Sequence, residues 1–379
     1  MTKLDEFIQE LCPDGVKYLP IPELFITRNG YTPSKANNEF WENGTIPWFR
    51  MEDIRENGRI LTTATQYVSE KAVKGKLFPA DSIIIATSAT IGEHALIKVP
   101  SLANQRFTYL TLKDEFKDCV DMMFVFYYCF RLDEYCKSHL NQGNFASVDM
   151  KQFAAFKFPV PPLPVQREIV RILDNFTELT AELTAELTAR KQQYAYYRDK
   201  LLAFGDDVPK DTLENLCDFQ YGKGNSIPTA PGEYPVYGCN GVVGTTNVFN
   251  SIDAPVIGHI GSAGIVNWGK GKHFVTYNGT ICKVRPEKMI SRYAYHLLCS
   301  LHLERFVKGS QPFLSYSDFA KETVAVPPLN IQQRVVSILD RFDTLCTDLS
   351  SGLPAEIEAR QKQYEYYRNK LLTFKELGA

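Results

Sequence analysis

Two stretches of this chain carry apolar residues at alternating steps of three and four, the spacing of one helical face. In the first, Ile169, Ile172, Phe176, Leu179, Leu183 and Leu187 lead to Tyr194, Tyr197, Leu201 and Phe204, with Arg190 in the one polar slot. The second runs Val335, Ile338, Phe342, Leu345, Leu349, Leu353, Ile357, Arg360, Tyr364, Tyr367, Leu371 and Phe374. This alternation predicts a coiled-coil seam. Successive four-steps around Leu183 and Leu187 make a stutter, inside the tandem tetrad Thr180-Ala181-Glu182-Leu183, Thr184-Ala185-Glu186-Leu187. Gly352 and Pro354 predict a kink or restart in the second helix. Pro161-Pro162 and Pro327-Pro328 predict an extended entry and a helix start just after each pair.

Before the first of these helices and again between the two, the pattern changes to short apolar runs with glycine-rich turns. Ser82–Thr87 and Arg106–Leu110 predict strands and Asp121–His139 a helix. In the second such region, Ala254–His259 and Thr280–Val284 predict strands and Arg292–Val307 a helix. Both regions therefore predict mixed α/β lobes with the same order of elements and little shared sequence.

The helical segments are copies of each other. Pro161-Pro162-Leu163-Pro164-Val165-Gln166 through Asp174 returns as Pro327-Pro328-Leu329-Asn330-Ile331-Gln332 through Asp340. Ala189-Arg190 through Leu201-Leu202 returns as Ala359-Arg360 through Leu371-Leu372. A compact lobe joining the end of one helix to the start of the other predicts antiparallel helices related by a pseudo-two-fold axis. Lys3-Leu4-Asp5-Glu6-Phe7 resembles Lys200–Phe204, so the joint between helix and lobe also occurs twice. The expected segments are 1–157, 158–208, 209–325 and 326–379.

Composition narrows the function. At 44% apolar and 23% charged the chain reads as an ordinary globular protein with no apolar signal region at its start, expected in the cytoplasm. Nine cysteines without a CxxC pair predict reduced thiols. The net charge of −2 lacks the basic excess of a self-sufficient nucleic-acid binder. Gly264–Gly271 nearly spells a P-loop, but Gly271 replaces the magnesium-binding Ser/Thr and a strand-like Phe274–Tyr277 follows. The six histidines show no HExxH or other metal spacing, and no Asn/Asp-Pro-Pro-aromatic motif of an adenine methyltransferase occurs. Covalent chemistry is not expected of this chain.

The chain resembles the specificity subunits of type I restriction–modification systems across essentially its full length. The resemblance rests on Pro-Pro-Leu-x-x-Gln before Ile-Leu-Asp, and on Gln-Tyr-x-Tyr-Tyr-Arg-x-Lys-Leu-Leu, each present twice. Gly30–Asp53 and Gly232–Gly241 look like the openings of two target recognition domains. The resemblance implies an α/β (α+β) fold with two such domains separated by two long antiparallel coiled-coil helices. Each domain would read half of an asymmetric bipartite DNA site. The helices would set the spacer and dock two methyltransferase subunits, which bind S-adenosylmethionine and modify adenine N6. Restriction subunits, which use ATP and magnesium, would join the full complex. This chain would hold no cofactor or metal.

For DNA contact, Arg50 and Asn240 are candidates for guanine and adenine edges, against a surface salt bridge for Arg50 and a left-handed turn at Asn240-Gly241. Lys74, Lys76, Lys270, Lys272 and His273 are candidate phosphate ligands. Asn104, Gln105, Arg106, Tyr237 and Gln311 complete the set. Tyr196 and Tyr366 lie off the helical seam and are candidates for partner docking. Two rivals remain: a self-contained DNA-modifying enzyme, and a coiled-coil adaptor with two protein-binding lobes.

Overall fold

A computed structural model describes residues 3–141, 146–224, 231–347 and 352–378. The chain forms two compact units, one running to Thr180 and resuming at Arg360, the other Ala181–Ala359. These divisions cut through the helical copies, so each unit combines one lobe with half of each copy.

The helices start where the prolines predict. α3 (Leu163–Leu202) and α5 (Leu329–Thr347) both begin directly after a Pro-Pro pair. α3 is 40 residues long and passes through both tetrads without a break. The second copy is split: α6 (Leu353–Leu371) begins beside Gly352 with Pro354 in its first turn, where a missing N–H costs nothing. Leu349 of the seam lies outside the described residues. In the first unit the early part of α3 pairs with α6, Phe176 stacking on Tyr367 at 5.5 Å. In the second unit the late part of α3 pairs with α5, Tyr197 stacking on Phe342 at 5.6 Å. The two copies are thus antiparallel.

The seam is displaced at one place. Ile338 and Leu345 are exposed, while Val335, Val336, Leu339 and Cys346 are buried. The start of α5 turns Val336 and Leu339, beside the seam residue Val335, toward its lobe, and burial there outweighs the regular seam.

In the first unit, a five-stranded sheet orders β2 (Phe25–Asn29), β9 (Phe107–Leu112), β6 (Ser82–Ala86), β7 (His94–Ile97) and β4 (Ile60–Leu61). A second sheet holds β5 (Tyr67–Val68), β3 (Ile46–Phe49) and β8 (Leu102–Ala103), and β1 (Lys17–Pro20) pairs with β10 (Lys157–Val160). The run Ser82-Ile83-Ile84-Ile85-Ala86 is buried throughout because both faces are covered. Ile83 and Ile85 meet Phe124 and Leu132 of α2 (Met122–Ser138) and Ile169 of α3. Ile84 and Ala86 instead join Trp48, Phe49 and Tyr109.

The second unit repeats this plan. Its sheet orders β12 (Cys217–Tyr221), β17 (Gly279–Val284), β15 (Ser251–Gly258), β16 (Val266–Val275), β13 (Tyr234–Gly238) and β14 (Gly241–Thr246). β11 (Lys210–Thr212) pairs with β18 (Thr323–Ala325). The order β12-β17-β15 matches β2-β9-β6, and parallel β13–β16 matches β3–β8. The expected helix 292–307 stops early: α4 (Ser291–Ser300) ends before His302, whose φ of 51° leads into a separate 3-10 turn. The near-P-loop runs from a turn at Gly264 into extended β16, so it lacks the loop-then-helix a phosphate requires.

The repeated glutamine has a mechanical role. Gln166 and Gln332 are fully buried. The Gln166 carboxamide accepts from Asp121 N–H (2.8 Å) and donates to the carbonyls of Cys119 (2.8 Å) and Pro161 (2.6 Å). Gln332 accepts from Ile290 N–H (2.9 Å) and donates to those of Lys288 and Pro327 (both 2.9 Å). Each glutamine pins the start of its lobe helix, α2 or α4, to the start of a copy helix. Eight residues further on, Asp174 accepts from the Tyr127 hydroxyl (2.5 Å), and Asp340 from His296 Nε2 (2.7 Å) and Arg292 Nε (2.6 Å). Burial opposes ionisation of Asp340, but the bonds from His296 and Arg292 outweigh it and hold its carboxyl below the usual range.

Candidate nucleic-acid interface

One end of each sheet is built by the same set of backbone hydrogen bonds. In the first unit, Gly30 N–H bonds Phe107 O (2.9 Å), Tyr31 N–H bonds Ala103 O (2.8 Å), and Asn104 N–H bonds Phe49 O (3.0 Å). In the second, Gly222 bonds Gly279 (2.9 Å), Lys223 bonds Val275 (3.0 Å), and Thr276 bonds Tyr237 (3.0 Å). Both glycines are required by close approach. A Cβ at Gly30 would lie 2.2 Å from the Asn104 carbonyl oxygen, and one at Gly222 2.1 Å from that of Thr276.

The first unit gathers most of its candidate residues at this end. Asn104 Oδ1 accepts from Arg106 N–H (3.0 Å), and the Thr32 hydroxyl donates to Gln105 Oε1. Gln105 and Arg106 are exposed. Arg50 follows Phe49 directly; its Nη2 donates to Thr65 Oγ1 (3.0 Å) and its Nε lies 3.9 Å from Glu52, a loose ion pair. Lys74 Nζ lies 5.7 Å from the Tyr31 ring, whose hydroxyl accepts the Lys74 N–H. Lys76 is exposed nearby, its carbonyl held by Arg28 Nη2 at 3.1 Å. Four cationic side chains thus flank a loop of amides, a composition suited to phosphates and base edges.

The second unit brings together fewer of its candidates. Asn240 is exposed at the tip between β13 and β14, and the left-handed residue there is Gly241 (φ 94°), not Asn240. Gln311 is exposed in a turn whose Pro312 carbonyl accepts from Gly261 N–H (3.0 Å), which ties it to the same end. Lys270 and Lys272 are exposed but lie elsewhere: Lys272 pairs with Ile252, six residues before Gly258 and so about 20 Å along β15. There Lys272 Nζ sits 4.8 Å from the Phe249 ring.

Two candidates prove to be interior. His273 has no exposed surface and its Nδ1 contacts Gly271 O at 2.9 Å; burial lowers its pKa and favours the neutral ring, the wrong form for a phosphate. Tyr237 packs with Val256, Val275 and Ile281, its hydroxyl donating to Trp268 O (3.0 Å), and burial raises its pKa. Their alternation along strands places both inside the lobe. Tyr196 and Tyr366, at matching positions of the helical copies, are 61% and 63% exposed.

The backbone match also reveals positions that residue type alone did not. Thr276, Tyr277 and Asn278 occupy the places of Asn104, Gln105 and Arg106, and Phe313 that of Ser147. The signal was present in the paired glycines Gly30/Gly222 and Gly92/Gly264, which align the two lobes where their side chains do not. Among the described residues, no cluster of His, Cys, Asp or Glu is placed to hold a metal, and no helix is long and apolar enough to cross a membrane.

Known proteins place this architecture. The family described as type I restriction modification DNA specificity domain matches twice, over residues 13–190 and 207–359. The chain is 46% identical over 364 residues to the type I restriction enzyme EcoprrI specificity subunit of Escherichia coli, covering 89% of this chain and 90% of that one. It is 34% identical over 275 residues to the EcoR124I/EcoR124II specificity subunit of the same organism, covering 62% and 68%. In fold it resembles the type I restriction–modification S subunit of M. genitalium, with a TM-score of 0.55 at 16% identity over 94% of this chain and 95% of that one. A chain from a structural study of type I assembly gives 0.62 at 15% identity, over 96% and 98%. The chain belongs to the type I restriction–modification DNA specificity family.

Proposed function

We propose that this chain is the non-catalytic subunit that gives a type I restriction–modification complex its DNA sequence specificity. Each unit reads one half of an asymmetric bipartite site in double-stranded DNA. The carrying observation is that one backbone framework occurs in both units with different side chains at the same end, while the helical copies keep their terminal motifs and the same glutamine clamp. That is the division expected when targets diverge and the assembly surface stays fixed. The helices dock two methyltransferase subunits, with the exposed Tyr196 and Tyr366 at equivalent places on that surface. Those partners bind S-adenosylmethionine and methylate adenine N6; restriction subunits using ATP and magnesium complete the complex in the cytoplasm. With a net charge of −2, the chain depends on these partners for much of its phosphate contact.

The test is base-resolution mapping of N6-methyladenine in cells expressing this chain with its neighbouring modification subunit. A bipartite motif that disappears without this chain is the expected result. A stable complex that adds no motif would overturn the reading in favour of an adaptor.

Deleting Thr184–Leu187 removes four residues of an unbroken helix, about 6 Å of rise, against roughly 3.4 Å per base pair. The mapped motif should keep both half-sites and lose one to two base pairs of spacer. Altered bases within a half-site would sink the ruler role.

A further inference from the structure

We infer that Tyr277 and Phe313 are specificity-determining residues of the second unit, reading bases through their rings. The inference rests on the DNA-reading function proposed above. It starts from the shared framework at the sheet end. Thr87 N–H bonds Arg106 O (2.9 Å) where His259 N–H bonds Asn278 O (2.8 Å). Phe107 N–H bonds Asn104 O (3.2 Å) where Gly279 N–H bonds Thr276 O (3.0 Å). Gly92 N–H bonds Ala86 O (2.8 Å) where Gly264 N–H bonds Gly258 O (3.0 Å). The Ser88–Ser147 bridge becomes Ile260–Phe313. These bonds fix the correspondence residue by residue: Gln105 becomes Tyr277, Arg106 becomes Asn278, and Ser147 becomes Phe313.

The displayed chemistry has changed class on an unchanged backbone. The first unit presents an amide and a guanidinium, groups that hydrogen-bond base edges. The second presents aromatic rings, Tyr277 at 41% and Phe313 at 39% exposure, grouped over one buried histidine and not scattered singly. The rings are held in place from beneath. His259 is buried, with Nδ1 2.6 Å from Leu314 O, and its ring lies 5.6 Å from Tyr277 and 4.7 Å from Phe313. Tyr221 closes the cluster, 4.3 Å from His259, with its hydroxyl 3.0 Å from Ser315 Oγ. Exposed rings with a fixed base present their faces and edges to a ligand at low entropic cost.

Both matched regions are the same DNA specificity domain, so the ligand at this end of the second unit is the one at the equivalent end of the first. Against DNA, a ring meets either the thymine 5-methyl group in the major groove or the face of an unstacked base. Asn240 and Gln311, exposed at the same end, supply the neighbouring polar contacts.

The experiment uses the complete chain with its modification subunits and a panel of duplexes carrying every single-base change in the mapped site. Tyr277→Ala and Phe313→Ala should each lower methylation of the unaltered site about tenfold or more. They should also relax discrimination at one or two positions of one half-site and leave the other half-site unchanged. Tyr277→Phe should retain the wild-type pattern. Uracil in place of thymine at the relaxed position separates the two contacts: a loss with wild type but not with the variant marks the methyl group, and equal behaviour marks base stacking. Discrimination unchanged at every position, or a uniform loss across the panel with the complex intact, would overturn the inference. If wild type itself selects no motif, the underlying function fails instead.

Discussion

Gln332→Leu should destabilise the second unit by about 3 kcal/mol, and Gln166→Leu the first by a similar amount. Each substitution keeps the bulk of the side chain and removes three hydrogen bonds. A backbone N–H and two carbonyls, one in a buried bond and two in part-buried ones, are then left without this partner, at up to about 1–3 kcal/mol each where water does not replace it. The penalty falls on the joint between a lobe helix and a copy helix, so amide exchange should accelerate first at Ile290 in one variant and at Asp121 in the other. Urea denaturation of the full chain measures the magnitude. Gln192→Leu, an exposed change on the same long helix, should stay within about 0.5 kcal/mol. Clamp variants no less stable than that control would remove the mechanical role assigned to these glutamines.

The clamp also shows how much of the fold could be read in the sequence. Pro-Pro-Leu-x-x-Gln was visible as a repeat, and the helix starts followed from fixed proline geometry. The purpose of its glutamine was not visible, because two of its three partners in each copy are backbone groups 42–47 residues upstream in the chain. Antiparallel pairing was legible from connectivity alone. The exposed Ile338 and Leu345 were not, since three-four spacing identifies a stripe but cannot say whether a lobe captures the neighbouring one. The candidate interface was legible only in part. Loops of amides and cations such as Asn104–Arg106 announce themselves by composition. Tyr277 and Phe313 do not, because an exposed aromatic looks like a core residue until the backbone is aligned with its counterpart. Tyr237 and His273 lie inside the lobe for the opposite reason, polar groups on strands whose alternation turns them inward.

Lowering the pH should destabilise the first unit well before its carboxylates titrate, through His94. This ring is fully buried between Phe126 (5.4 Å) and Phe130 (4.6 Å), with Nδ1 3.3 Å from Gly92 O and no partner for Nε2. Burial and then the nearby charge of Arg59 push its pKa from 6.5 down to about 3. Between those values the unfolded chain holds a proton at this site and the folded chain does not. The contribution is therefore fully present above pH 6.5 and is lost as pH falls toward 3, about 3 kcal/mol by pH 4. His296 in the second unit adds a loss of the same sign: its pKa is lowered chiefly by burial, against the opposing bond to Asp340. His94→Phe keeps the aromatic packing and removes the proton site. Unfolding free energy measured from pH 4 to 6 should then change less steeply with pH, by about 1.4 kcal/mol per unit. An unchanged slope would mean that His94 is charged in the folded protein or already neutral in the unfolded one, and the acid sensitivity would have to come from elsewhere.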